Sequence, residues 1–161
     1  MKILVLSDSH SALSPMRRYI RTVKPDAVVH LGDHYEDGQI MAEEFPHIPF
    51  HQVPGNCDRY RVLSSVPEIL CYSIFGVRLY MTHGHKHWVK QTMGRLLADA
   101  RAYQAAAVLY GHTHSPCCYR EDDMWVLNPG PSSFCAGIVE IEDKKITSCR
   151  LLPQEELEDS L

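Results

Sequence analysis

The chain has 161 residues, 45% of them hydrophobic, and a formal net charge of -4. That is the size of one domain, able to bury roughly two-thirds of the surface its unfolded chain exposes. The acidic balance and the lack of any Lys/Arg cluster exclude a general nucleic-acid or acidic-membrane binder.

Residues 3–6 form a short apolar run bounded by polar residues, the pattern of a buried central strand. The run is too short for a signal-peptide core or a membrane span, so a cytoplasmic protein is expected. It empties into Ser7-Asp8-Ser9-His10, after which Ser14-Pro15 opens an amphipathic helix carrying Met16, Tyr19, Ile20 and Val23 and stopped by Pro25. A second buried strand, 27–31, runs into Gly32-Asp33-His34, and a short helix is expected over 38–44. Strand 50–53 ends in Pro54-Gly55-Asn56-Cys57-Asp58, a sharp turn.

Residues 68–75 and 77–82, hinged at Gly76, read as a β-hairpin that discharges into His83-Gly84-His85-Lys86-His87. Helical spacing runs over 88–103 and leads to a strand, 105–110, ahead of Gly111-His112-Thr113-His114. If that last segment is extended, His112 and His114 share a side and Thr113 points inward. A hairpin over 117–121 and 124–127, a turn-rich loop from Asn128 to Ser132, and an antiparallel pair over 136–142 and 145–152 follow. The tail, 153–161, is acidic and expected to fray. No repeat or linker divides the chain, so residues 1–161 are expected to form a single domain.

Five β-type runs thus end in loops bearing Asp, Asn or His, and strand ends of an open α/β sheet are where ligands bind. His10, His83, His85, His112 and His114 all sit there. The six cysteines show no C-x-x-C spacing, so buried thiols are expected rather than disulfides.

In order, Asp8-Ser9-His10, Gly32-Asp33, Gly55-Asn56-Cys57-Asp58, Thr82-His83-Gly84-His85 and Gly111-His112-Thr113-His114 resemble the motif blocks of the calcineurin-like metallophosphoesterases. The likeness is greatest to the small single-domain bacterial and archaeal phosphodiesterases, which also have cysteine after the asparagine. The resemblance implies an α/β fold of four layers, α/β/β/α, with two mixed sheets flanked by helices. It also implies two divalent transition-metal ions, manganese first, with zinc, nickel or iron as alternatives. One ion would be held by Asp8, His10, Asp33 and His114, the second by Asp33, Asn56, His83 and His112, with Asp33 bridging. Such a site leaves room for a bridging hydroxide and for the oxygens of a small phosphodiester. Independently of any family, a thiolate-free set of N and O ligands suits such ions better than calcium or a structural zinc.

Asp33 and Asn56 are catalytic candidates through the ions. Asp58, as a group that steadies its neighbours, and His85, as one that reaches a phosphate oxygen, complete that set. Cys57 stands where many relatives have a histidine that assists the leaving group, and a thiol is a poor substitute. A preference for good leaving groups is therefore expected. His30, His47 and His51 read as structural histidines, His34 and His87 as exposed loop residues, and Cys117 and Cys118 as facing opposite sides of a strand. Two other readings stay open: a noncatalytic scaffold like a retromer subunit of this fold, and a phosphomonoesterase. No membrane contact is expected, and homo-oligomerisation is left open.

Overall fold

The computed structural model describes residues 1–58, 62 and 64–158. Strands β1 (Lys2–Leu6), β2 (Ala27–His30) and β3 (Phe50–Gln52) run parallel, and β9 (Cys135–Glu142) and β10 (Lys145–Pro153) extend their sheet antiparallel in the order β10-β9-β1-β2-β3. The second sheet is β4-β5-β6-β8-β7, formed by β4 (Ile69–Ile74), β5 (Val77–Thr82), β6 (Ala107–Leu109), β7 (Cys117–Glu121) and β8 (Met124–Asn128). Its three central strands are parallel and its two outer ones antiparallel. Both sheets are mixed, as the resemblance implied.

Strand alternation builds the layers. Ile3, Val5 and Val29 point toward Leu79, Met81, Leu109 and Leu127 to form the core between the sheets. Leu4, Leu6 and Val28 point the other way, onto α1 (Leu13–Val23) and α2 (Tyr35–Glu44). Tyr80, Val108 and Val126 face α3 (Gly94–Ala102) on the opposite outside. A strand buried on both faces has no polar positions to alternate with, hence the continuous apolar runs.

Several local readings change. Helix α1 starts at Leu13 behind Ala12, so Ser14 lies inside its first turn; it ends at Lys24, left-handed and bonded to Ile20 O. Helix α2 begins at Tyr35 rather than 38, because the buried Asp58 carboxylate takes the Tyr35 N–H and Glu36 and Asp37 favour the helix N-terminus. The expected 88–103 helix is only α3. His85–His87 forms a 3-10 turn, Trp88 is left-handed (φ 59°) and halts it, and Thr92 Oγ1 accepts the Gly94 N–H where α3 begins.

The chain end corrects another expectation. Gln154–Glu158 is a helix, α4, whose Leu157 is only 2% exposed against α1, so this stretch does not fray. An acidic pattern concealed one apolar anchor. Residues 159–161 lie outside the described set. No helix among the described residues is long and apolar enough to cross a membrane.

Candidate metal centre

Asp8, Asp33 and Asn56 follow the parallel strands β1, β2 and β3, and His83 and His112–His114 follow the parallel strands β5 and β6. Parallel strands deliver their loops to one end. Bonds tie the loops together there: Asp8 N–H to Gly32 O at 2.9 Å on one sheet, Gly111 N–H to His83 O at 2.9 Å on the other, and the His83 ring to Leu31 O at 2.7 Å across the two. Two glycines permit the approach. A Cβ on Gly111 would lie 2.1 Å from Ser7 Oγ and 2.7 Å from Asp8 Oδ2, and one on Gly55 would lie 2.1 Å from Asp33 Oδ1.

Asp8, His10, Asp33, His112 and His114 all have positive φ, between 43° and 71°. The His112–His114 segment is therefore not extended, and the alternation expected of it does not apply. Each left-handed residue costs about 1 kcal/mol, and such outliers gather where a site fixes side-chain direction. The two imidazoles diverge. His114 Nε2 lies 3.2 Å from Asp8 Oδ1, with its ring 5.6 Å from that of His10, whereas the His112 ring lies 5.0 Å from His83 and 6.1 Å from His85.

Two groups have ligand atoms mutually within 4.8 Å: Asp8, His10 and His114, and Asp8, Asp33 and His83. The carboxylate common to both is Asp8, where the resemblance gave that place to Asp33. The reason is local: Asp33 Oδ1 is held by the Cys57 N–H at 2.9 Å, leaving Oδ2 turned to His83 at 3.4 Å. His112 belongs to neither group, and Asn56 Oδ1 lies 3.1 Å from His83 Nε2.

The residues fit a cation on two observations. Asp8 Oδ1 is buried and accepts no hydrogen bond, although its other oxygen takes the Ser7 hydroxyl at 2.5 Å and the His112 N–H at 3.2 Å. A bare carboxylate oxygen is costly to bury. His83 Nδ1 must donate to the Leu31 carbonyl, so Nε2 is the nitrogen presented to oxygens of Asn56, Asp33 and Asp8. Three acceptors converging on one nitrogen call for a proton or a metal between them.

The electrostatics run accordingly. Burial works against the charged form of Asp33, but the His83 hydrogen bond and charge and the Cys57 N–H outweigh it and hold its carboxyl well below the usual range. Burial likewise opposes a charged His83, and Asp33 and Asp8 overcome it and raise the imidazole. His112, desolvated and beside His83, is lowered to about 4 and stays neutral, as a ligating imidazole must. His85, at the rim, is lowered by burial and by His83; its Nε2 lies 3.8 Å from Glu68.

Asp58 is corrected from catalytic to positioning. Buried, it accepts the N–H groups of Asp33, Gly55 and Tyr35 at 2.8, 2.8 and 2.9 Å, which leaves it unable to touch a substrate. Cys57 is exposed, against the expectation of buried thiols, and burial of the sulfur and the Asp33 charge push its thiol up. His87 is buried rather than exposed, between Tyr80 OH at 3.0 Å and Asp99 at 2.9 Å. His34 is half-buried against the His10 ring. Of the remaining histidines, His51 bonds Tyr72 OH and His47 is exposed.

Several supporting residues escape sequence reasoning. His30 accepts the Gly32 N–H on Nδ1, so its Nε2–H donates to Ser9 Oγ, which donates to Asp37; Asp37 also accepts the Ser11 N–H. Asn128 fastens the opposite loop, donating to Gly111 O and Thr113 Oγ1 and accepting from Gly130 N–H. Their partners lie 15 to 28 positions away, except for the local Gly130 and His30–Gly32 bonds. The one local signal was polar residues placed directly after apolar strands.

Fold and loops together define a metallophosphoesterase. The family model of the calcineurin-like phosphoesterase superfamily domain matches residues 1–144, and the chain belongs to that superfamily. It is 30% identical over 132 residues to a Mycoplasma pneumoniae protein named "probable metallophosphoesterase", covering 80% of this chain and 77% of that one. It is 26% identical over 153 residues to a phosphodiesterase of Methanocaldococcus jannaschii, covering 85% and 86%. Among solved structures, a predicted phosphoesterase of Streptococcus pneumoniae superposes with TM-score 0.74 at 29% identity over 96% and 90% of the two chains. Entamoeba histolytica Vps29 complexed with zinc superposes at 0.71 with 17% identity over 96% and 99%, a likeness of fold alone.

Proposed function

We propose that this chain is a dinuclear-metal phosphodiesterase. One ion is assigned to Asp8, His10, Asp33 and His114, the other to Asp33, Asn56, His83 and His112, with Asp8 close enough to both to share in either. When bound, two divalent ions supply positive charge for phosphate oxygens and a water acidified toward neutrality. Manganese is the first choice, and zinc, nickel or iron have the same ligand preferences.

The observation that carries this reading is Asp8 Oδ1, buried, without a hydrogen bond, and facing His114 at 3.2 Å and His83 at 3.9 Å. A noncatalytic scaffold gives no reason to bury a bare carboxylate oxygen among imidazoles. The protein's own part is positional. Ser7 and the His112 N–H aim Asp8, Leu31 O sets the His83 tautomer, and Asp58 holds the Gly55 turn and the Asp33 backbone in place.

His85 lies on the same side as His112 and offers an imidazole to a phosphate oxygen at the rim. A raised, exposed thiol at Cys57 makes a poor proton donor, so leaving-group departure depends on the substrate itself. The reading therefore favours phosphodiesters with acidic leaving groups over monoesters of alkyl alcohols. A series of aryl phosphodiesters tests it: rates should rise steeply as the leaving group becomes more acidic, and a flat series contradicts it. Hydrolysis of bis-p-nitrophenyl phosphate should disappear with a chelator and in Asp33→Asn.

A further inference from the structure

Away from the metal loops, the edges of the two sheets meet. Strand β7 ends one sheet and β10 the other, and the two pack against each other. Cys118 on β7 and Cys149 on β10 face each other there, Sγ to Sγ 3.5 Å, and Cys118 Sγ also donates to Cys149 O at 3.2 Å. Cys117, the next residue, points the other way, to Tyr110 OH at 3.3 Å. Only Cys118 of this adjacent pair joins the core between the sheets, in which Cys149 sits.

The geometry points to Cys118 and Cys149 as a reversible disulfide site that staples the two sheets at their shared edge. A disulfide needs about 2.05 Å between sulfurs, so the pair closes by roughly 1.5 Å, divided between two side chains. The thiols lie 31 positions apart, and a cross-link closing such a loop removes many unfolded conformations. Burial is graded: Cys118 is half-buried, while Cys149 is buried.

The oxidant is a low-molecular-weight disulfide of the glutathione type. The Cys118 thiolate attacks one of its sulfurs and expels the first small thiolate, leaving a mixed disulfide. The Cys149 thiolate then attacks the Cys118 sulfur and expels the second. Two protein thiols are oxidised, one small disulfide is reduced, and the two protein protons end on the two small thiols. Burial raises both protein thiols, so the exchange is slow at neutral pH and quickens as pH rises.

The test treats the purified, metal-loaded protein with oxidised glutathione at alkaline pH, then maps peptides without reduction. The expected product has Cys118 linked to Cys149 and a Tm raised by roughly 5 °C, reversed by dithiothreitol. Cys117→Ser should retain the link, whereas Cys149→Ser should stop at a glutathione adduct on Cys118 with no rise in Tm. A wild-type protein whose Cys118 keeps glutathione while Cys149 stays free overturns the proposal. So does one in which neither thiol reacts while the exposed Cys57 does.

Discussion

The two oxygens of Asp8 are treated differently by the fold: Oδ2 receives the Ser7 hydroxyl and the His112 N–H, and Oδ1 receives no hydrogen bond and faces the imidazoles of His114 and His83. Asp58 is the opposite case, a buried carboxylate consumed by three backbone N–H groups. Asp58→Asn loses acceptors and turns an amide N–H toward donors, so it should cost about 2 to 4 kcal/mol in urea unfolding. A stability equal to wild type would contradict the positioning role. His30 gives a pH prediction. Burial lowers it to about 4, against about 6.5 in the unfolded chain. Above pH 6.5 both states are neutral and the group contributes no pH dependence. Between about 6.5 and 4 the unfolded chain binds a proton that the folded chain refuses, so stability falls, by up to about 3 kcal/mol from this group. His30→Gln should flatten that fall, measured by urea unfolding at pH 7 and pH 5. An unchanged fall would exclude His30 as a contributor.

At the scale of elements, the strands were the legible part. Continuous apolar runs marked β1, β2 and β6, a hairpin hinged at Gly76 marked β5, and the ligand residues followed each of them. Turn geometry was not legible: His112 and His114 reach different neighbours because both are left-handed, which no alternation rule conveys. Asp58 looked catalytic because a motif does not show how many N–H groups a carboxylate receives. Trp88 looked helical because apolar spacing cannot reveal a left-handed residue that breaks the run. Two substitutions test the elements. Gly111→Ala places a methyl against Ser7 and Asp8 and should abolish metal binding while far-UV circular dichroism is retained; normal metal affinity would contradict the close approach. Leu157→Ala should destabilise by about 2 to 3 kcal/mol, since α4 is anchored through that side chain, and no change in Tm would restore the frayed tail.

At the scale of the whole molecule, three apolar layers hold two sheets so that six parallel strands, three in each, release their loops at one end. The fold class could be reached from motif order, because strand ends and ligand residues coincide in sequence. The sharing of Asp8 could not, since it arises from the Cys57 N–H turning Asp33 toward His83. The direct measurement is metal content and bis-p-nitrophenyl phosphate hydrolysis on one sample of wild type, His112→Ala and His114→Ala. The wild type should hold two ions per chain and be active. His114→Ala should weaken the ion shared with Asp8 and His10, and His112→Ala the one shared with Asn56 and His83. A wild-type protein that takes up no metal on reconstitution and remains inert, or two variants that lose the same single ion, would contradict the two-ion assignment.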